Sequence, residues 1–200
     1  MLYVSGIGYV TDNKLSVEYK KHSWNYDGTK NLHRSLKDNG IVQDVLKDFG
    51  RLDSISKMTV TASALALYDA SLSMPKDKIG ILGTSDTGSL SSNIDFFKDY
   101  VDSGRKMSRG NLFVYTLSSA ALAAAAIAFG FRGPMIFEMY GSSPFRHLIK
   151  SAKRVICDQN CKGLILIYAV KGKVSAYLLE KLDGKLSSRN NLMTTSELRL

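Results

Sequence analysis

Apolar residues recur along this chain with two periods, and the switches between them mark out its elements. Leu2–Val10 is apolar, weakly alternating and interrupted by Gly6 and Gly8, which predicts a buried strand that another backbone approaches closely. Residues 12–40 are polar, dotted with aromatics and aperiodic, so a long connection is expected there. A short amphipathic piece from Ile41 leads to Arg51-Leu52-Asp53. Ser54–Ser71 then sets Ile55, Met58, Ala62, Leu65, Ala66 and Tyr68 at helical spacing with almost no charge, the pattern of a helix buried on more than one side. Ile79–Leu82 is a short, wholly apolar strand of the parallel-sheet type, followed at once by the turn-rich run Gly83-Thr84-Ser85-Asp86-Thr87-Gly88-Ser89.

The second half repeats the alternation. Ser91–Asp102 predicts a helix with Ile94, Phe97, Tyr100 and Val101 facing inward, and Met107–Val114 a glycine-containing loop. Thr116–Phe129 predicts an alanine-rich helix, whose small side chains let a neighbour come very close. Gly130–Cys157 runs from a turn through an extended stretch (Met135–Tyr140) to a Gly141-Ser142-Ser143-Pro144 corner. A helix follows, with Phe145, Leu148, Ile149, Ala152, Val155 and Ile156 on one face. Gly163–Val170 and Val174–Glu180 read as strands joined by a Lys171-Gly172 hairpin turn. The order β-α-β-α-α-β-α-β-β predicts one α/β domain over residues 1–185. Its expected form is three αβα layers around a mostly parallel, five-stranded mixed sheet with an antiparallel closing strand. A polar tail is expected at 186–200.

Composition narrows the classes. At 44% hydrophobic and 22% charged, the 200 residues suit one globular domain and exclude disorder. The longest apolar run, Ala120–Phe131, stops at Arg132, short of the roughly 18–20 residues that a membrane span needs. The first residues lack the basic start and cleavage site of a secretory signal, so a cytoplasmic location is expected. The net charge of +9 comes from Lys and Arg spread along the chain without a long basic run, and no nucleic-acid motif accompanies them. Nucleic acid is therefore not an expected partner. Cys157 and Cys161 have no second pair with which to complete a zinc site, so reduced structural thiols and no metal are expected. The Gly83–Ser89 run lacks the Lys-Ser/Thr ending of a nucleotide-binding loop, which leaves tight-turn chemistry as its role and no cofactor indicated.

Ser142 stands where a strand hands over to a helix N-terminus, beside free backbone N–H groups and the positive end of the helix dipole. That place suits a helix cap, which is the expectation, or an acyl-accepting nucleophile. His147 lies five residues on, about 140° round the helix from Ser142 by the 3.6-residue repeat, and reads as a surface or interface residue. Arg51 and Asp53 are expected to pair and cap the buried helix that follows them.

Five stretches in this order, VSGIGYVT, RLDSISKM, ILGTSDTGSL, AFGFRGP and the strand, corner and helix around Ser142, together resemble the N-terminal half of a β-ketoacyl synthase, a thiolase-like fold. The resemblance runs from Met1 to Glu180. In that family a Gly-Pro-led strand reaches a cysteine nucleophile; counted from Gly133-Pro134, its position is held here by Ser142. A thiol with a pKa near 8.5 is ionised readily at a helix N-terminus, whereas a serine hydroxyl needs a positioned base. The family's second half supplies two catalytic histidines and a lysine, and His22, His33 and His147 sit in none of its motifs.

The resemblance thus implies a non-catalytic, chain-length-factor-like subunit without a cofactor. It would pair with an active β-ketoacyl-ACP synthase in fatty acid or polyketide (aryl polyene type) biosynthesis and shape its acyl tunnel. The chain is expected as a heterodimer with that ketosynthase or as a homodimer, with acyl carrier protein a further candidate partner. The alternative is a Ser142-dependent acyltransferase or thioesterase acting on acyl carrier protein. By the same resemblance Phe96, Phe97, Tyr100 and Phe113 are candidates to close the tunnel at the dimer interface, and Met135, Ile136, Phe137, Glu138 and Met139 form the dimer edge. It also implies that the helices at Ala120–Phe129 and Pro144–Ile156 belong to an apolar central layer, part of which a lone half leaves uncovered.

Overall fold

The structure is a computed structural model and describes residues 2–28, 31–43, 46–70, 75–106, 109–158, 161–181 and 193–194. The chain begins with β1 (Leu2–Thr11), β2 (Lys14–Val17), β3 (Ser23–Asn25) and α1 (Leu32–Asp38). It continues through α2 (Ser54–Ala70), β4 (Ile79–Ser85), α3 (Leu90–Asp102), α4 (Gly110–Val114) and α5 (Ala120–Phe129). β5 (Met135–Phe137), α6 (Pro144–Asp158), β6 (Gly163–Val170), β7 (Lys173–Lys181) and β8 (Met193–Thr194) complete it.

One sheet holds all these strands in the order β3-β2-β1-β7-β6-β4-β5, with β8 beside β1. The five expected strands form the contiguous run β1-β7-β6-β4-β5, which ends at the β5 edge, and the layers are three, as expected. The sheet is larger and more mixed than the pattern implied. Among the described strands only β4 with β5 and β4 with β6 run parallel, while β1–β2, β2–β3, β1–β7, β1–β8 and β6–β7 are antiparallel. The region expected as a connection, residues 12–40, supplies β2, β3 and α1. Its strands are three and four residues long, too short for a period to register.

Crossover handedness explains the three layers. The chain leaves β4, passes α5 and returns outward to β5; it then passes α6 and returns inward to β6, on the other side of β4. Right-handed crossovers in opposite directions place their helices on opposite faces of a sheet. Accordingly α2 and α5 share one core with Ile79, Ile81, Ile165, Ile167, Ala176 and Leu178, and α6 shares the other with Leu82, Leu164, Leu166, Tyr177 and Leu179. Both faces being covered, the central strands β4, β6 and β7 are buried at nearly every position.

Gly6 and Gly8 bring β1 against α2, as their placement predicted. A Cβ on Gly8 would lie 2.5 Å from the Ala62 carbonyl oxygen, and one on Gly6 would lie 2.1 Å from that of Ala66. Asp69, the lone acid of α2, is buried near the helix end and accepts the N–H of Ile7 (2.9 Å) and Tyr19 (3.1 Å) on Oδ2 and of Lys20 (2.9 Å) on Oδ1. One carboxylate thereby serves three backbone donors that strand pairing leaves over. The Lys171-Gly172 hairpin forms as expected, with Gly172 at φ +73° between the paired Val170 and Lys173. Of the tail expected at 186–200, Met193–Thr194 pair with Val4 and Tyr3; its other residues, like Ser71 and Met107, lie outside the described residues.

Candidate functional site

Connections from β4 and β5 leave to opposite faces of the sheet, so the C-terminal ends of these strands form a switch point, the place where open α/β sheets hold ligands. Three features meet around it: the serine corner before α6, a polar cleft beyond β4, and an exposed apolar surface on α3, α4 and β5.

At the corner, Ser142 is exposed and its hydroxyl has no hydrogen-bond partner among the described residues. The helix opens one residue later than the cap reading required. The Ser143 carbonyl accepts the His147 N–H (3.2 Å), and Pro144 takes the first helical position, where its missing N–H costs nothing. Ser143 has φ +47°, outside the extended backbone from which a serine caps with its side chain. Ser142 is therefore not the cap of α6. His147 is exposed, as expected, and its ring stacks on Tyr140 at 5.3 Å between centroids.

Beyond β4 the turn consumes its own donors. Ser85 Oγ accepts the N–H of Thr87 (3.3 Å) and Gly88 (3.1 Å), the Asp86 N–H donates to the Ala169 carbonyl (3.1 Å), and the Ser89 hydroxyl donates to the Thr116 carbonyl (2.6 Å). The adjoining cleft, about 280 Å³, is lined by Asp12, Asp53, Asp86 and Asp95 against one cation, Lys171. Spent N–H groups and four carboxylates make this a poor phosphate cradle, in keeping with the tight-turn reading. A smaller cavity of about 20 Å³ lies inward, where the buried hydroxyls of Ser56, Thr59 and Thr84 have no protein partner; it has room for a single bridging water.

Asp53 does cap α2: Oδ1 accepts the Ser56 N–H (2.9 Å), and Oδ2 accepts the Ser92 hydroxyl (2.7 Å), which ties α3 to α2. Its expected partner is elsewhere, since Arg51 pairs with Asp48 at 3.3 Å. Asp48 has φ +56°, and the turn it makes carries its carboxylate back toward Arg51.

The largest departure is α3. Ile94, Phe97, Tyr100 and Val101 were expected to face inward; instead Ile94, Phe97 and Val101 face out in one row with Leu90, Phe97 being 64% exposed, and of the four only Tyr100 is half-buried. Among the described residues α3 has none that is buried. Spacing of four, three and four residues defines a helix face, but it leaves open which side finds a partner. The segment expected as a loop at 107–114 contains α4, which continues this surface with Phe113, Val114 and Leu117, all more than half exposed. Phe96 packs on Phe113 within the chain (5.7 Å between ring centroids), Tyr100 is half-buried, and Arg109 clasps Asp99 through its backbone N–H and Nε, both at 2.8 Å.

β5 borders the sheet and, among the described strands, has only β4 beside it. Met135 and Met139 are exposed, Ile136 packs into the α6 core and Phe137 lines the small cavity. The Glu138 N–H donates to the Gly83 carbonyl (3.0 Å), and its Oε2 is buried without a protein partner.

Comparison with known proteins turns on this architecture. No family model matches the sequence, and no curated protein matches it. Solved structures do. The ishigamide ketosynthase/chain length factor aligns with 92% of the chain at a TM-score of 0.63 and 13% identity. The ketosynthase (ApeO) in complex with its chain length factor (ApeC) from Xenorhabdus doucetiae aligns with 92% at 0.60 and 14%. The fold is that of a ketosynthase. A third such structure, AntDE:AntF, a type II PKS acyl-carrier protein in complex with its ketosynthase, aligns with 90% of the chain at 0.59 and 12%. The chain spans 63%, 80% and 62% of the lengths of these three. At such identities the likeness speaks for the thiolase-like ketosynthase fold, and the site has to be judged on its own residues.

Ser142 lies between β5 and α6, and the ring of His147 is turned onto Tyr140. Among the described residues no group of three or more His, Cys, Asp or Glu is placed to hold a metal, and no helix is long and apolar enough to cross a membrane. Sequence reasoning missed one surface altogether. The outward face of α6 carries Arg146, His147, Lys150, Lys153 and Arg154, all exposed. On α5 the fully outward apolar residue is Ile127, at 83%. The signal was available in the helical repeat, which gathers into one stripe cations that look scattered along the chain.

Proposed function

We propose that this chain is a non-catalytic, chain-length-factor-like subunit that pairs with an active β-ketoacyl-ACP synthase and shapes its acyl tunnel. The observation that carries the reading is the outward apolar row Leu90, Ile94, Phe97 and Val101 on α3, continued by Phe113, Val114 and Leu117 and accompanied by the one-sided strand β5. An apolar surface of this extent on a folded domain is characteristic of an interface, and a strand with one unpaired side accepts another strand. Met135–Met139 is the edge for that pairing. Phe97, the most exposed of the four candidates at 64%, is the leading tunnel gate, with Phe96, Tyr100 and Phe113 the others. The neighbours include ketosynthases complexed with a chain length factor and with an acyl-carrier protein, which supports partners of this class for a chain of the same fold.

The serine-dependent acyl transfer alternative finds no support in the corner, where no described side chain is hydrogen-bonded to Ser142 as a base. The test is native mass spectrometry of this chain co-expressed with an intact ketosynthase. A one-to-one complex is expected, and its loss when Ile94 and Phe97 are both replaced by Ser. A chain that stays alone or forms only homodimers ends this reading.

A further inference from the structure

The chain has 27 basic residues against 18 acidic ones, yet four carboxylates meet in the cleft beyond β4. Asp12 comes from the turn between β1 and β2, Asp53 from the cap of α2, Asp86 from the turn after β4 and Asp95 from α3. Among the described residues the ion pairs are Arg51–Asp48 and Arg109–Asp99, so none of the four has a cation partner. The Asp95 carboxylate accepts no hydrogen bond there either. Asp53, Ser85 and Ser89 also line the cavity of about 20 Å³ that lies inward of this cleft. On its wall stand Ser56, Thr59 and Thr84, each at most 1% exposed and each with a hydroxyl that has no protein partner. Buried polar groups are almost always bonded, so three orphans around one space mark the place of a polar group from outside the chain. Among the described residues no Lys, Arg or His lines that space.

We propose that the cleft and its inner cavity bind a linear aliphatic polyamine, with one terminal ammonium in the cavity and the next charge among the outer carboxylates. An ammonium is about the size of a water molecule, which is what the cavity admits. It carries N–H donors alone, and the groups that face it, the Asp53 carboxylate and the three orphan hydroxyls, all accept. Ile55 and Ala169 line both spaces and give a methylene stem an apolar passage between them. Outside, Asp12, Asp86 and Asp95 stand on three separate elements, which suits a ligand whose charges are spaced along a chain. A divalent metal ion fits less well. It needs its oxygen ligands gathered at one point, and among the described residues no group of three acids is so placed. Anions are repelled by the same carboxylates.

The inference does not rest on ketosynthase pairing, which uses the outward row of α3. The test uses the full chain and spermidine, a linear triamine, read by isothermal titration calorimetry. Saturable one-to-one binding is expected at 50 mM NaCl and is expected to weaken several-fold at 300 mM. Asp86→Asn together with Asp95→Asn is expected to weaken it at least tenfold. Asp95→Asn alone is expected to weaken it at least threefold, and it spares Asp86, whose carboxylate also accepts the Lys171 N–H (3.2 Å). Thr84→Val keeps the side-chain shape, removes one orphan hydroxyl and is expected to weaken binding at least threefold. A charge-matched control, Asp27→Asn with Asp77→Asn, is expected to stay within twofold, and the Ile94→Ser, Phe97→Ser variant to bind as the parent does. Four results overturn the proposal: no spermidine binding, equal loss in the cleft and control variants, no effect of Thr84→Val, or displacement of spermidine by Mg²⁺ at constant ionic strength. Tighter binding of acetyl-trilysine amide, which carries the same charge as spermidine, overturns it as well and assigns the cleft to lysine side chains of a protein.

Discussion

The imidazole of His147 lies nearly parallel to the ring of Tyr140, 5.3 Å between centroids and 21° between planes. Tyr140 is held in turn by its hydroxyl, which donates to Ser151 Oγ at 3.0 Å. The histidine nearest the corner in sequence is thus committed to a ring contact, and Ser142 has no hydrogen bond to it. A serine without a base keeps the high pKa of an alcohol. Ser142→Ala is expected to leave product formation by the co-expressed pathway unchanged and stability within about 0.5 kcal/mol, as for exposed sites generally. Loss of product from a folded variant would restore the acyl-transfer reading.

Phe96 and Phe97 are adjacent but differ in where they point. Phe97→Ala is expected to change the length of the ketosynthase product with little effect on the stability of the chain alone, because its ring is mostly in water. Phe96→Ala removes the ring that packs on Phe113 and is expected to cost about 1 kcal/mol in urea denaturation. If Phe96→Ala, Phe97→Ala and Tyr100→Ala all leave product length unaltered, α3 is no gate.

Gly8 admits no side chain. Its Cβ would meet the Ala62 carbonyl oxygen at 2.5 Å and the Ala66 nitrogen at 2.8 Å, backbone atoms that a rotamer change cannot move. Gly8→Ala is expected to lower stability by about 3 kcal/mol or more, the upper end of overpacking costs. A urea midpoint equal to the parent's would mean that α2 shifts without cost.

Asp69→Asn leaves one oxygen for three donors and removes the charge that strengthens their bonds. A loss of about 2–4 kcal/mol is expected. Hydrogen exchange at the Ile7 amide is expected to speed up more than exchange at the paired amides of β6, a pattern that general destabilisation does not produce.

Asp99 provides a pH test. The Arg109 backbone N–H, with its side chain assisting, holds the Asp99 carboxyl below its ordinary range. A carboxyl depressed by folding stabilises the fold above its unfolded pKa, about 3.9, and that contribution fades as pH falls through the lower folded value. NMR titration is expected to place the Asp99 midpoint below that of the unfolded chain. Arg109→Gln is expected to raise it only partway, since the backbone donor remains. A full return to the unfolded value would make the guanidinium the main cause.

Much of the architecture was legible because its signals are local. Gly6 and Gly8 against the alanines of α2, the apolar runs of β4, β6 and β7, and the Lys171-Gly172 hairpin each declare themselves within a few residues. Element types and the burial of both sheet faces follow from such patterns, because side-chain period depends only on the backbone's own repeat. The candidate surfaces needed distant parts of the chain. Whether the row Leu90 to Val101 packs or stands in water depends on what the rest of the chain lays beside α3, and among the described residues none of that row is buried. Arg51 chose Asp48 over Asp53 because a left-handed turn brought the former back. The α6 cations became a stripe only once the opposite arc was committed to the sheet. Local order in the chain was sufficient for the elements and the layering; which faces were left over for partners was settled by packing, a property of all the elements together.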